Sequence, residues 1–269
     1  LSAQSVRERI LLDDGWQFAF GNASSPEKDF GCGTEYFNYL TKAASIHNEG
    51  PYSLKFNPEK WGVDWKMVNL PHDWVVDLPY VKEASHSHGY KAVGYKFPEN
   101  SVGWYRKTIT VPQEDLGKHL YLQFDGIFRD ARIWINGFYL GHEPSGYATQ
   151  VYDITEYLNY GEDNLICVRA DATLEEGWFY EGAGIYRHVW LNKTAPLHVA
   201  PFGTFVHSTL AAPFDKAKLT IETTVENSGL QTEDSRLCHI LRDADGKEVA
   251  RCETAGQPVL PKDRQLTVG

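Results

Sequence analysis

Three carboxylates and three aromatic rings fall within seven residues at Glu175-Glu176-Gly177-Trp178-Phe179-Tyr180-Glu181. Ionised carboxylates accept hydrogen bonds and donate none, so they suit a ligand rich in hydroxyl groups. Aromatic faces stack on pyranose rings. The mixture suits a saccharide, and Glu175, Glu176, Trp178, Tyr180 and Glu181 are the candidate substrate-binding residues. The segment lies between two expected strands, and loops carried by a rigid sheet are where binding residues gather. The alternative is a solvent-exposed acidic turn with Trp178 and Tyr180 packed as structural aromatics.

A second candidate is His86-Ser87-His88-Gly89-Tyr90. Two histidines two apart on a strand share a face and can hold a metal, but no third ligand is spaced nearby. The other readings are a pocket edge and an ordinary polar loop. Cys32, Cys167, Cys238 and Cys252 show neither CxxC nor Cys/His spacing, which argues against zinc. Cys167, in the alternating run Asn164-Leu165-Ile166-Cys167-Val168-Arg169, reads as a small buried apolar residue. No Ser/His/Asp order, phosphate-binding glycine loop or dinucleotide fingerprint is present, so no catalytic residue, metal or cofactor is assigned. A formal charge of −10 over 269 residues argues against nucleic acid, whose binders carry a basic patch. No apolar run approaches the ~18 residues of a membrane span. The opening Leu1-Ser2-Ala3-Gln4 resembles the tail of a cut signal peptide and predicts a periplasmic or secreted protein.

The elements that must position these residues are strands. Arg9 to Leu12, a turn at Asp13-Asp14-Gly15, and Trp16 to Phe20 predict an opening hairpin. Trp104 to Val111 is rich in β-branched residues. Leu120, Leu122 and Phe124 alternate with Tyr121, Gln123 and Asp125. Ile133 and Ile135 run into Asn136-Gly137, a pair that tolerates positive φ at both positions of a two-residue turn. Gly146 to Thr155, Asn164 to Asp171 and Ile185 to Asn192 supply further strands, and only Thr34 to Ser45 has helical spacing. Short strands with regular turn signals predict an all-β fold, a jelly-roll-like β-sandwich rather than a parallel α/β sheet. Leu70-Pro71-His72-Asp73-Trp74 reads as structural, with Trp74 buried and Asp73 tying down backbone amides. Arg106 and Arg187 are expected to anchor buried carboxylates.

Pro201-Phe202-Gly203 reads as a turn-rich bridge, placing one domain at 1–200 and a second at 201–269. In the second, Leu219, Ile221, Thr223 and Val225 alternate with polar residues. A three-residue loop Ala244-Asp245-Gly246 pairs Asp243 with Lys247 and, counting outward, sets Cys238 opposite Cys252 within disulfide reach, whereas a two-residue Asp245-Gly246 turn would slip the register by one and put the two thiols on opposite faces. The run Leu266-Thr267-Val268-Gly269 reads as mid-strand, as in a truncated module.

Gly103-Trp104-Tyr105-Arg106-Lys107 and Gly182-Ala183-Gly184-Ile185-Tyr186-Arg187, together with Gly15-Trp16-Gln17-Phe18, Leu70-Pro71-His72-Asp73-Trp74 and Ile135-Asn136-Gly137, stand in an order that resembles the N-terminal sugar-binding domain of glycoside hydrolase family 2. The segment after it resembles the family's immunoglobulin-like β-sandwich. The resemblance implies a galactose-binding-domain-like jelly roll, and β-galactosidase, β-glucuronidase or β-mannosidase activity in the parent. It implies a retaining mechanism on a later barrel and a pocket to which the 175–181 loop lends an acidic group. The partners it implies are a β-galactoside-type carbohydrate, the barrel of the same parent, and a homo-oligomer of the parent. Retention needs two carboxyl groups ~5–5.5 Å apart, one of them a Glu after an Asn. Asn48-Glu49 is such a pair, but it precedes the motifs, runs into Gly50-Pro51 and reads as a solvated loop. Two functions therefore stand: a non-catalytic N-terminal fragment of a β-galactosidase-like enzyme, and a free-standing carbohydrate-binding module with an immunoglobulin-like spacer.

Overall fold

The computed structural model describes residues 7–32, 50–175, 177 and 180–268. The expected helix at Thr34 to Ser45, the Asn48-Glu49 pair and the first residues lie outside that range. The chain divides into a larger unit, Glu8–Leu116 with Leu120–Asn192, and a smaller one that includes Gly117–His119 and continues from Lys193.

The larger unit is a β-sandwich. One sheet has the order β1-β10-β5-β8, with β1 Glu8–Leu11, β5 His119–Phe124, β8 Gln150–Asp153 and β10 Val189–Thr194. The other has the order β3-β2-β4-β9-β6-β7, from β2 Trp16–Phe20, β3 Lys66–Val68, β4 Val102–Thr110, β6 Ala131–Ile135, β7 Phe138–Glu143 and β9 Asp163–Asp171. Alternation decides which side chains meet. Tyr105, Ile133, Ile135, Ile166 and Val168 pack with Leu120, Leu122 and Phe124 in the main core. Their neighbours Trp104, Trp134 and Cys167 point to the other face, where Phe30, Tyr52 and Phe56 cover them. Both faces of the central strands are thus buried, which explains their nearly unbroken apolar character. Trp16, Trp104, Trp134, Tyr105 and Phe124 are among the largest fully buried side chains. At 150–250 Å² each and ~25 cal/mol per Å², each contributes at most roughly 4–6 kcal/mol.

Asn136 and Gly137 adopt φ of 51° and 83°, and Ile135 pairs with Phe138 across the turn, as the sequence predicts. The Asn136 side chain also accepts from Leu165 N and donates to the Tyr157 carbonyl and to Asn164. The opening hairpin is not formed. Instead β1 belongs to one sheet and β2 to the other, so Asp13-Asp14-Gly15 is a crossover. Asp13 fixes it by accepting from Val189 N and meeting the His188 ring, while the Trp16 indole donates to the Leu12 carbonyl.

Buried charge is handled differently from expectation. Arg106 donates to the Pro51 carbonyl and stacks over Phe56, and Arg187 reaches the Asp125 carbonyl. Neither is anchored on a carboxylate by these contacts. Arg169 instead forms a buried ion pair with Asp29, at 2.9 Å, which the Trp104 indole also joins at 2.7 Å.

In the smaller unit β11 Leu197–Ala211, β12 Lys216–Asn227 and β17 Asp263–Val268 form a sheet. Beside it are two ladders, β13 Glu233–Ser235 with β16 Gln257–Val259, and β14 Cys238–Arg242 with β15 Glu248–Glu253. Pro201-Phe202-Gly203 is a bulge inside β11 rather than a bridge, with Phe202 at positive φ. The loop at Ala244-Asp245-Gly246 forms as expected, with Gly246 N bonded to the Asp243 carbonyl. The cysteine register does not follow. An irregularity beside Leu241 and Arg242 leaves Val249 unpaired, so Cys252 faces His239 and Cys238 faces Glu253. A one-residue slip sends the two side chains to opposite faces, and both thiols are free.

Candidate functional site

Four of the five motifs meet in the larger unit, through Phe18, His72 to Trp74, Gly103 to Tyr105 and Gly182 to Ile185. Residues 72–74 lie alongside 183–185, with His72 N donating to the Ile185 carbonyl and Trp74 N to the Ala183 carbonyl. Trp74 is 2% exposed and packs on Phe18, with ring centroids 5.6 Å apart. Gly103 allows this approach, since a Cβ there would lie 2.5 Å from the Trp74 ring. Gly184, at φ +123°, takes a conformation open to glycine, and a Cβ would meet the His72 carbonyl at 2.5 Å. Tyr105 is fully buried, and its hydroxyl contacts His72 Nδ1 at 2.7 Å.

Asp73 organises the rim. Its Oδ1 accepts from Val75 N at 3.0 Å and Ala183 N at 2.9 Å, and its Oδ2 accepts from the Tyr180 hydroxyl at 2.7 Å. The expectation that Asp73 ties down backbone amides is therefore met. Burial first, and then the bond to Asp73, push the Tyr180 phenol well above its ordinary range and keep it a donor. Beside Asp73 is a cavity of about 90 Å³, lined by Glu181, Gly182, Phe128, Tyr147 and Tyr186. At ~30 Å³ per water that is room for about three hydroxyl-sized groups. Tyr147 is 68% exposed and packs edgewise on Phe128, while the Tyr186 hydroxyl donates to the Gly146 carbonyl. Acceptor-only carboxylates facing aromatic rings can take the hydroxyl edge of a small polar ring.

The sequence-predicted residues are partly united here. Glu181 lines the cavity with its side chain 6% exposed, and Tyr180 supports Asp73. Glu175 stands apart from the lining and crowds Gly94 together with His88. Glu176 and Trp178 lie outside the described residues. His86-Ser87-His88 forms a single 3₁₀ turn rather than a strand, so the two histidines do not share a face. His88 is fully buried and His86 is not. Nothing in the local sequence marks Phe128 or Tyr147, and Tyr186 is legible only as part of the Gly-Ile-Tyr-Arg motif. A larger open groove of about 560 Å³ in the smaller unit, bordered by Pro196, Leu197 and Leu230, has Glu233 as its one titratable lining residue and offers no comparable chemistry.

The sequence profile of "Glycosyl hydrolases family 2, sugar binding domain" matches residues 49–195, more than half of the chain. The chain belongs to glycoside hydrolase family 2. Among family members it is 39% identical over 210 residues to Beta-galactosidase BoGH2A of Bacteroides ovatus, covering 76% of this chain and 24% of that protein. It is 35% identical over 178 residues to a putative beta-glucuronidase of Formosa agariphila, covering 62% and 17%. A crystal structure of a glycosyl hydrolase family 2 member from Bacteroides cellulosilyticus superposes with a TM-score of 0.73 at 27% identity, over 97% of this chain and 30% of that one. The chain thus spans about a quarter of the length of BoGH2A. Among the described residues no helix is long and apolar enough to cross a membrane.

Proposed function

We propose that this chain is the N-terminal, non-catalytic part of a retaining, β-galactosidase-like glycoside hydrolase that releases terminal β-glycosides in carbohydrate degradation. It forms one wall of the substrate pocket and scaffolds a catalytic barrel of the same parent. The sugar-binding jelly roll takes up 1–200 and an immunoglobulin-like sandwich begins at 201. An exported location belongs to the same proposal. The observation that carries the reading is the cavity where Asp73 and Glu181 face Phe128, Tyr147 and Tyr186. It sits on the surface built by the family's own motifs, Leu70 to Trp74 and Gly182 to Arg187. Glu175, Glu176, Trp178, Tyr180 and Glu181 are its proposed substrate-binding loop.

A single wall binds weakly, so titration of the chain with methyl β-galactoside should shift the backbone amide resonances of Gly182 and Ala183 only at millimolar or higher concentration. Submicromolar affinity would overturn this reading in favour of a free-standing binding module. An absence of shifts at those amides with shifts elsewhere would show that the cavity is not the sugar wall.

A further inference from the structure

His88 stands out among the described titratable groups of the larger unit because both of its ring nitrogens are buried and unsatisfied. Its side chain is 0% exposed, and neither ring nitrogen has a hydrogen-bond partner among the described residues. Its Nδ1 is 3.7 Å from Oε2 of Glu181, a carboxylate of the cavity wall. Glu175 approaches from the same loop: a Cβ on Gly94 would lie 2.6 Å from Glu175 Oε1 and 3.3 Å from His88 Cδ2. The turn is tied to that loop by Ser87 Oγ, which donates to the Gly177 carbonyl at 3.0 Å. Buried polar groups are ordinarily hydrogen-bonded, so an imidazole 3.7 Å from one carboxylate, with a second carboxylate crowding the same glycine, calls for a reason when it makes no bond among the described residues. A neutral imidazole has one donor and one acceptor nitrogen, whereas the protonated ring has two donors and a charge.

We propose that His88 is a positioning residue for the pocket: neutral, it leaves Glu181 turned to the cavity as an acceptor for sugar hydroxyls, and protonated, it draws Glu181 and Glu175 onto its own ring. The proposal rests on the pocket reading above. Among the described residues, the charged groups acting on His88 are Glu175 and Glu181 from the loop and the guanidinium of Arg129. Burial lowers its proton affinity below the ordinary histidine value of 6.5, the Glu175 carboxylate opposes that, and Arg129 adds to it. The neutral form therefore dominates at pH 7.5, and the change falls below pH 6.5.

The test is an NMR titration of the chain with methyl β-galactoside between pH 7.5 and 5, beside His88→Gln and Glu181→Gln. The dissociation constant of the unaltered chain should rise about tenfold as pH falls, equivalent to about 1.4 kcal/mol. His88→Gln keeps a donor toward Glu181 but gains no charge, and should stay within about twofold across the window. Glu181→Gln should bind weakly at both ends. A His88→Gln chain with the unaltered pH slope, or an unaltered chain with none, overturns the proposal while leaving the pocket reading intact. Failure of the glycoside to perturb Gly182 and Ala183 at pH 7.5 overturns both. Direct titration of the His88 ring resonances is independent of affinity and of variant folding. A midpoint below 6.5 that falls further in Glu175→Gln supports the arrangement, and a midpoint at or above 6.5 contradicts it.

Discussion

Replacing Asp73 with Ala removes the acceptor that joins residues 73–75 to residues 180–183. Two backbone donors, Val75 N and Ala183 N, lose their partner, and these residues are 0% and 1% exposed. A buried donor left unsatisfied costs about 1–3 kcal/mol, so the pair costs about 2–6 kcal/mol. The Tyr180 bond adds little, because that ring is 44% exposed and water can replace Asp73. Asp73→Asn keeps an oxygen for the two amides and loses mainly the charge assistance, about 1 kcal/mol. For a domain of 150–250 residues each kcal/mol lowers Tm by about 2–4 °C. Thermal unfolding followed by circular dichroism should therefore show a loss of about 4–24 °C for Asp73→Ala and about 2–4 °C for Asp73→Asn. An Asp73→Ala chain that melts together with the Asn variant would refute the assignment of Asp73 as the organiser of the rim.

Two further outcomes follow from burial. Arg169→Met leaves Asp29 charged and buried, at a cost of about 3–5 kcal/mol; adding Asp29→Asn should recover much of it, because the amide still accepts from Trp104. Calorimetry showing the double variant less stable than Arg169→Met would count against a buried ion pair. Cys238 and Cys252 should both react with a thiol reagent in the native state, while Cys167, 0% exposed and with its thiol pushed up by burial, should react only on unfolding. Protection of Cys238 and Cys252 that is released by a reductant would restore the register rejected above.

The strands were legible where alternation and turn chemistry agree. Asn136-Gly137 has local chemistry that allows few other answers, and the structure follows it. Arg9 to Phe20 has the same local look, yet its two strands enter different sheets, because the pairing of Leu12 and Asp13 with Val189 is set by residues 175 positions away or more. The Cys238–Cys252 register failed for a smaller reason: the turn was right, but no sequence signal marks the irregularity at Val249. Of the loop's candidate residues, Glu181 lines the cavity and Tyr180 bonds Asp73, and both stand out in the sequence because charge and aromatic rings occur together in one loop. Asp73 reads as structural in the sequence, and its place in the cavity lining comes from Gly182 and Ala183 folding back onto it. His88 is visible in the sequence as a histidine but not as a buried one, since nothing local marks the single 3₁₀ turn at Ser85 to Gly89 that buries it.

The central claim is that this chain shapes a sugar pocket without supplying the catalytic carboxylates. It is tested most directly by incubating the purified 269-residue chain with a chromogenic β-galactoside. The account predicts no turnover above the uncatalysed rate, whereas turnover that is abolished by Glu49→Gln would contradict it.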